Sequence, residues 1–485
     1  MSDRASKDTP AIFWFRRDLR LADNPGLHAA AADGRPIIAV FVLDETPDIR
    51  FPGAAGLWWL DKSLKALQTA LEARGACLIL RRGEAGKILG DLAKETGAGA
   101  VFWNRLYDPG QVIRDADLKA ALREDGLEVK SFNAALLIEP WALKTKSGDL
   151  FQVFTPFWRA ARQLVGDFTL HQAPRALAAT EPVPGSESLA DWGLHPTKPD
   201  WSGGFSDWTP GEDGARAALT AFIDDALETY PQMRDRPDVI GTSRLSPHLH
   251  WGEVGPRQIW RSVEAAAHRQ PGLESQAEKY FAELGWREFN HHLLFARPNL
   301  STANFKRTFD SFPWRDDKQA FRAWTRGQTG YPFVDAGMRE LWGTGFMHNR
   351  VRMVAASFLI KHLLIDWRQG ERWFWDTLLD ADPANNVLNW QWVAGSGADA
   401  SPFFRIFNPM IQGERFDPDG GYVRRWIPEL AKLPAKYIHA PWTAPKAILD
   451  QADVVLGGVY PKPIVDHDAA RGRALDAFKS LRAED

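Results

Sequence analysis

Cysteine is nearly absent: the 485-residue chain has one, Cys77. A single thiol excludes a disulfide framework, a cysteine-ligated zinc site and an iron–sulfur cluster. It makes a reducing, intracellular compartment, cytoplasmic by default, the expectation. Apolar runs long enough to cross a membrane, about 18 residues, are also missing. The polar start MSDRASKDTP contains no apolar stretch, so no signal peptide is expected. Charge of one sign is lacking too. With 59 basic and 62 acidic side chains the formal net charge is -3, so any surface for nucleic acid has to be a local patch. No GxGxxG or GxxxxGK(S/T) follows a strand-like run, which removes the common nucleotide fingerprints from the N-terminal part. No metal site is expected. What the chain has in excess is tryptophan, 22 residues. Most should be core, but indole is oxidisable and stacks on flat rings, so a few can carry chemistry.

Apolar runs with β-branched residues occur at Ala11–Phe15, Pro36–Leu43, Cys77–Leu80 and Ala100–Trp103, with a weaker one at Glu128–Phe132. Helical patterns, such as Leu57 to Leu71, lie between them. This alternation predicts an α/β domain with a doubly wound parallel sheet over residues 1–135. Residues 136–210 include EPVPGSESLADWG and KPDWSGGFSDWTPGED and read as a long interdomain linker lying over a surface. From 211 to 485 the pattern predicts an all-helical domain. Ser246-Pro247, Gly255-Pro256 and Asp382-Pro383 each put proline at a plausible first helical position.

Four segments combine residue types suited to chemistry. In GTSRLSP, Gly241 to Pro247, three hydroxyls and Arg244 precede a helix; the segment suits a phosphate, or else an ordinary helix start with Ser246 as N-cap. In AELGWREF, Glu283, Trp286 and Arg287 share a helical face that suits a flat polar ring, or else a surface ion pair beside a packing tryptophan. In HNRVRM, Asn349, Arg352 and Met353 share a face and Arg350 points elsewhere, so the two arginines can serve different partners; a solvated basic turn is the other reading. In DADPANNVLNWQW, Asp382, Asn386 and Trp390 line up at i, i+4 and i+8, and a buried Asp and Asn there need a polar partner.

These segments, in this order, resemble the DNA photolyase/cryptochrome family. FWFRRDLRLADNPGL is similar to its first strand and loop. GYPFVDAGMRELWGTGFMHNRVRMVAASFLIKHLLIDWRQGE and DASPFFRIFNP are similar to its flavin-domain signature. The resemblance implies a Rossmann-like antenna domain and a helical domain holding a U-shaped FAD. It implies FAD contacts at Tyr230, Thr242, Ser243, Arg244, Leu245, Ser246, Tyr280, Arg352, Asp380, Ala381, Asp382 and Asn386, with Asn386 facing the flavin N5. Glu283, Trp286, Asn349, Met353, Asn386 and Trp392 match the catalytic pocket for a dimer flipped out of the duplex. Trp390, Trp367 and Trp314 match an electron-carrying chain. Arg234, Trp286, Arg350, Arg405 and Gln412 match DNA contacts.

The resemblance also implies a light-driven carbon–carbon lyase that repairs cyclobutane pyrimidine dimers, by electron transfer from reduced FAD. The alternative is a cryptochrome-type blue-light receptor without repair. A (6-4) photolyase carries His where this chain has residues such as Met353. Plant-like cryptochromes tend to lose the stacking Trp and to place Asp at the position of Asn386. Here Trp286, Met353 and Asn386 are all present, which favours cyclobutane dimers. AGSGADASPFFRIFNP and GAAGLWWLDKSLKAL resemble the class III and plant-cryptochrome branch more than the bacterial class I form; a class III-like member implies a methenyltetrahydrofolate antenna, with 8-hydroxy-deazaflavin as the alternative. WNRLYDP, Trp103 to Pro109, is a candidate part of that pocket, or simply a strand end and turn. The partner implied is damaged DNA, bound by a monomer.

Overall fold

The computed structural model describes residues 9–166, 168–399 and 404–481. The polar start and residues 400–403 of DASPFFRIFNP lie outside the described residues, as do the outermost ends of the regions 1–135 and 211–485. The strands are β1 Ala11–Phe15, β2 Ile37–Asp44, β3 Leu78–Gly83, β4 Ala100–Asn104 and β5 Glu128–Phe132. The helices are α1 Pro25–Asp33, α2 Ala54–Glu72, α3 Ala85–Thr96, α4 Pro109–Glu124, α5 Phe154–Leu164, α6 Glu212–Ala221, α7 Tyr230–Met233, α8 Ser246–Trp251, α9 Pro256–Arg269 and α10 Glu274–Ala296. They continue as α11 Lys318–Thr325, α12 Pro332–Thr344, α13 Asn349–Ser357, α14 Trp367–Thr377, α15 Pro383–Ala394, α16 Pro409–Phe416, α17 Gly421–Trp426, α18 Ala435–Ile438, α19 Lys446–Gln451 and α20 His467–Ser480.

Packing divides the chain into two compact units. The first is Met1–Asp200, Trp208–Asp225 and Ser243–Pro298; the second is Trp201–Asp207, Ala226–Thr242 and Asn299–Asp485. This differs from the division at 135 and 210 read from composition. The helices α8 to α10 group with the sheet, because the chain passes between the units several times.

The first unit holds a five-stranded parallel sheet in the order β3-β2-β1-β4-β5. Ala11 pairs with Ile37 on one side and with Ala100 on the other. Every residue of β1 and β4 is buried, as expected for parallel strands covered on both faces. The order reverses between β1 and β4, and side chains of the unit itself fill the region past those strand ends. Arg16 donates to the Asn104 carbonyl and pairs with Asp115 at 2.7 Å. Arg114 pairs with Asp44 and, at 2.8 Å, with Asp115. Both guanidiniums lie over the Trp14 ring, and they are only 7% and 9% exposed. Arg20 of the opening motif is buried and donates to the carbonyls of Gly252 (2.8 Å) and Ala134 (3.1 Å), so it ties the β1 loop to the end of α8.

The segment 136–210 is more than a linker. Part of it does lie over the sheet: the Ile37 N–H donates to Ala178, and the Glu187 N–H to Leu80. But it also contains α5, where Phe154, Phe157, Trp158 and Ala161 recur at helical spacing.

The second unit is helical, and its large core rings include Trp324, Tyr331, Trp367 and Tyr422. Asp335, fully buried at the start of α12, accepts from the Thr329 N–H (2.7 Å), the Gly330 N–H (2.9 Å) and the Tyr460 hydroxyl (2.7 Å). That network fastens the chain near its C-terminal end to the helices.

Candidate functional site

The GTSRLSP segment, whose residues from Ser243 on belong to the first unit, does not form a capped helix. α8 begins at Ser246, its N-cap is Leu245, and no side chain caps it. Leu245 already has helical dihedrals, so Ser246 is an exposed first residue rather than the cap, and Pro247 comes one position later than expected. Arg244 sits at φ 52, a left-handed conformation that costs free energy for a side chain with a Cβ. Its guanidinium lies over the Trp208 ring at 4.2 Å. Trp208 packs edge-on against Trp59, and the Trp59 indole N–H donates to fully buried Glu253 at 3.0 Å. Glu253 also accepts the Gly211 N–H at 2.7 Å and pairs with His248 of α8. A strained loop ahead of an uncapped helix start, backed by buried hydrogen bonds, is suited to an anion. The Tyr280 hydroxyl donates to Ser243 at 3.1 Å. Burial, reinforced by the Glu283 charge, pushes that phenol well above the ordinary tyrosine range.

On α10, Glu283 and Trp286 are half-buried, one helical turn apart. Arg287 turns to the Ala135 carbonyl, to which it donates at 2.7 Å. Sequence reasoning missed Phe154. Its ring stacks on Trp286 with centroids 3.8 Å apart and planes 7° from parallel. Trp158 continues the parallel set, 6.3 Å from Phe154. Gly285 allows this approach of α5 to α10, since a Cβ there would lie 2.4 Å from the Trp158 ring. The aromatic spacing within Phe154–Trp158 was the available signal.

In the second unit Arg352 and Asp380 form a two-pronged salt bridge, Nη1 at 3.1 Å and Nη2 at 2.8 Å. The Arg352 Nε–H is fixed by the Met347 carbonyl at 2.6 Å. Asp382 is the N-cap of α15 and accepts the Ala384 and Asn385 N–H groups; Pro383 opens the helix as expected. Asn386 is one turn along, buried, and its amide N–H₂ donates to the Glu371 carboxylate (2.8 Å) and carbonyl (3.1 Å). Both groups are acceptors, so the Asn386 carbonyl oxygen must face away from them. Ala381 is buried between the two aspartates in sequence.

Trp390, a further turn along α15, is buried and edge-on to Phe374 of α14 at 5.0 Å. Gly370 permits that contact, because its Cβ would fall 2.2 Å from the Trp390 ring. Trp367, at the start of α14, is fully buried and donates to Asn304 at 3.0 Å. Trp314 is partly exposed beside Phe312, with centroids 4.3 Å apart. The three tryptophans therefore run from buried to partly exposed within one unit. Asn349 is exposed, while Met353 and Trp392 are half-buried.

Of the arginines matched to DNA, Arg350 pairs with Asp235 at 2.9 Å, lies over Phe416 and touches the Met353 sulfur at 4.0 Å. Arg234 lies over the Tyr230 ring at 5.3 Å. Arg405 is exposed, and its carbonyl accepts from buried Lys361. Gln412 is on α16. Thr242 and Tyr230 belong to the second unit, whereas Ser243 to Ser246 belong to the first. In WNRLYDP the polar side chains are engaged by the protein: Arg105 and Tyr107 with Glu139, Asp108 with Arg17, and Asn104 with Asn24. No helix of the described residues is long and apolar enough to cross a membrane, and they hold no cluster of metal-ligating side chains.

The first unit thus offers an uncapped helix start with hydroxyls, and the second a paired Arg–Asp and a polar helix face. Comparison with known proteins shows the family. Residues 280–480 match the family model described as FAD binding domain of DNA photolyase, and residues 11–179 match the one described as DNA photolyase. The chain belongs to the DNA photolyase/cryptochrome family and carries that FAD-binding domain. Within the family it is 54% identical to a deoxyribodipyrimidine photo-lyase from Agrobacterium fabrum, over 98% of this chain and 99% of the relative. It superposes with TM-score 0.95 on the crystal structure of a bacterial class III photolyase from Agrobacterium tumefaciens, at 54% identity and with all of both chains covered. Cryptochrome-1 of Arabidopsis thaliana is 40% identical over 97% of this chain and 70% of its own length.

Proposed function

We propose that the protein is a class III-type photolyase that uses light to repair cyclobutane pyrimidine dimers in DNA. The observation that carries this reading is the stacked, half-buried Trp286 with Glu283 one turn away. Phe154 covers one face of the indole; the other would stack on an extruded base. Glu283 would hydrogen-bond a pyrimidine edge and stabilise the charge that develops on the dimer. The family resemblance gives Asn349, Met353 and Trp392 of the second unit a part in dimer binding as well.

Reduced FAD, when bound, supplies the light-excited electron that opens the cyclobutane ring, and the electron then returns. Ser243, Arg244, Leu245 and Ser246, with Tyr230, Thr242 and Tyr280, would hold its phosphates and ribose. Arg352, Asp380, Ala381, Asp382 and Asn386 would hold the ring. The free end of Asn386 is a carbonyl oxygen, an acceptor suited to the N–H that a reduced flavin carries at N5. Trp390, Trp367 and Trp314 would carry electrons to an oxidised flavin, a step separate from repair. Arg234, Arg350, Arg405 and Gln412 would contact the DNA backbone. In functional terms we assign residues 1–135 to the antenna region, 136–210 to the connection and 211–485 to catalysis, in a protein acting as a monomer.

A blue-light receptor without repair activity is the second reading. Trp286, Met353 and Asn386 favour repair. The test is dimer-containing DNA mixed with reduced protein under blue light, with thymine absorbance followed. Recovery is expected, and no recovery with reduced flavin bound would refute the proposal. For the antenna we propose methenyltetrahydrofolate rather than a deazaflavin. The crevice where the strand order reverses, the usual ligand position in such sheets, is filled by Arg16 and Arg114 and their partners. An absorbance spectrum of the purified protein decides: a near-ultraviolet folate band is expected, and a deazaflavin band nearer the visible would overturn it.

A further inference from the structure

Trp367 opens α14 and is fully buried, and its indole N–H donates to Asn304 at 3.0 Å. Asn304 is itself only 2% exposed. Its amide N–H₂ donates to Asp310 at 2.8 Å, and Asp310 pairs with the exposed side chain of Arg307 at 2.9 Å. Indole, amide, carboxylate and guanidinium thus form one line within the second unit, and the line ends at the surface. Its order matters. Because Asp310 takes the amide hydrogens, the Asn304 carbonyl oxygen is the end that meets the indole. A carboxylate in that place would accept the same hydrogen bond, and the carboxylate of Asp310 stands one link further away.

An indole that has lost an electron is a far stronger acid at its N–H. A carboxylate against it would take the proton and leave a neutral radical, which fixes the hole where it is. An amide oxygen is too weak a base to do so, and neither residue is open to water. Two further features disfavour a positive charge resting on Trp367. It sits at the positive end of the α14 dipole. The Arg368 guanidinium also lies over its ring at 4.8 Å, offset in part by pairing with Asp366 at 2.9 Å. Trp314, by contrast, is partly exposed, so its proton can pass to water.

We propose that Asn304 is a positioning residue for photoreduction: it holds the indole N–H of Trp367 without taking its proton, so that the hole moves on to Trp314 and becomes a neutral radical only there. An electron passes from Trp314 through Trp367 and Trp390 to the light-excited, oxidised flavin. The proton of the Trp314 indole leaves to water, and a soluble reductant of the thiol class later restores both to that ring. This rests on the reading of Trp390, Trp367 and Trp314 as electron carriers.

The experiment uses flavin-loaded, oxidised protein and flash absorption spectroscopy, which separates protonated from neutral tryptophan radicals. Trp314→Phe stops the hole at Trp367. It should give the protonated radical, no neutral one, and a fast return of the electron. The exchange Asn304→Asp/Asp310→Asn keeps the composition and the net charge but sets the carboxylate against the indole. Arg307 loses its partner at an exposed position, which costs little. Added to Trp314→Phe, the exchange should make the neutral radical appear and prolong the charge-separated state. Asn304→Asp alone, added to Trp314→Phe and read at alkaline pH where both neighbouring carboxyls are ionised, should do the same and serves if the exchange does not fold. A neutral radical in Trp314→Phe with Asn304 intact, or none in either variant that carries the carboxylate, would overturn the proposal. Absence of any tryptophan radical in the unmutated protein would instead sink the reading of the three tryptophans as electron carriers.

Discussion

Phe154 offers the most direct test of how the repair pocket is built. Its ring lies 3.8 Å from Trp286 and nearly parallel to it. An aromatic pair of this kind contributes about 0.5–1.5 kcal/mol beyond its area burial. If its role is to hold the indole against an extruded base, Phe154→Ala should weaken binding of dimer-containing duplex by that amount, roughly two- to thirteenfold. Trp286→Ala should cost more, because it removes the base stack itself, about 1–3 kcal/mol. Truncating Phe in a full core costs about 3–5 kcal/mol of stability; Phe154 is half-buried, so the loss is smaller and the protein should stay folded at room temperature. The assay is equilibrium binding to duplexes with and without a dimer. Undamaged duplex should bind as before, since phosphate contacts are untouched. Phe154→Tyr should behave as wild type. The double variant Phe154→Ala/Trp286→Ala should bind no more weakly than Trp286→Ala alone. If Phe154→Ala costs as much without the indole as with it, or if undamaged DNA is lost equally, the reasoning fails.

Trp390→Phe should slow photoreduction of oxidised flavin while pre-reduced protein repairs nearly as before; an equal fall in both, followed by flavin absorbance and by thymine recovery, would remove the separation of roles. Arg405→Ala should weaken binding to DNA of any sequence and flatten its salt dependence by about 0.9 in slope, as for one lost phosphate contact; an unchanged slope counts against it. Glu288 is buried on α10, accepts the Ile138 N–H at 3.1 Å, and is pushed by burial from 4.5 up to about 7. Below about pH 4.5 its carboxyl is protonated in both folded and unfolded chains; between there and about pH 7 the unfolded chain releases the proton first, so stability falls as pH rises, by roughly 3 kcal/mol in all. Glu288→Gln keeps the acceptor and should flatten that decline in thermal melts taken from about pH 5 to 8; melting curves that shift in parallel with wild type would refute it.

How far the sequence could be read depended on how local the determining interaction is. The sheet was legible because short apolar runs between helical patterns mark parallel strands directly: Ala11–Phe15 and the weaker Glu128–Phe132 recur unchanged, and Pro36–Leu43 moves by one residue to Ile37–Asp44. The α15 start was legible for the same reason, since Asp382 and Pro383 set it within two residues. Beyond one helix the sequence is silent. The Glu371–Asn386 contact joins α14 to α15, and periodicity within either helix cannot pair them. α5 was lost in a stretch read by its prolines and glycines, although Phe154, Phe157 and Trp158 carry a helical signal. The Ser246 cap failed because Leu245 is already helical, so the turn begins one residue early. The long-range pairing of Arg352 with Asp380 likewise follows from no local pattern in either segment.

The pairing of Glu371 with Asn386 sharpens the distinction between repair and reception. Asn386 spends its N–H₂ group on two acceptors of Glu371, the carboxylate at 2.8 Å and the carbonyl at 3.1 Å. An aspartate in its place has no hydrogen to give until it takes up a proton, and two carboxyl groups that close would have to share it. The cryptochrome-type residue therefore cannot simply be exchanged into this chain. With Glu371 behind it, aspartate would add a titrating proton where the amide presents a fixed acceptor. On the proposed reading, the feature that would suit this site to repair is the pair, an amide backed by an acceptor one helix away, rather than the identity of residue 386 taken alone.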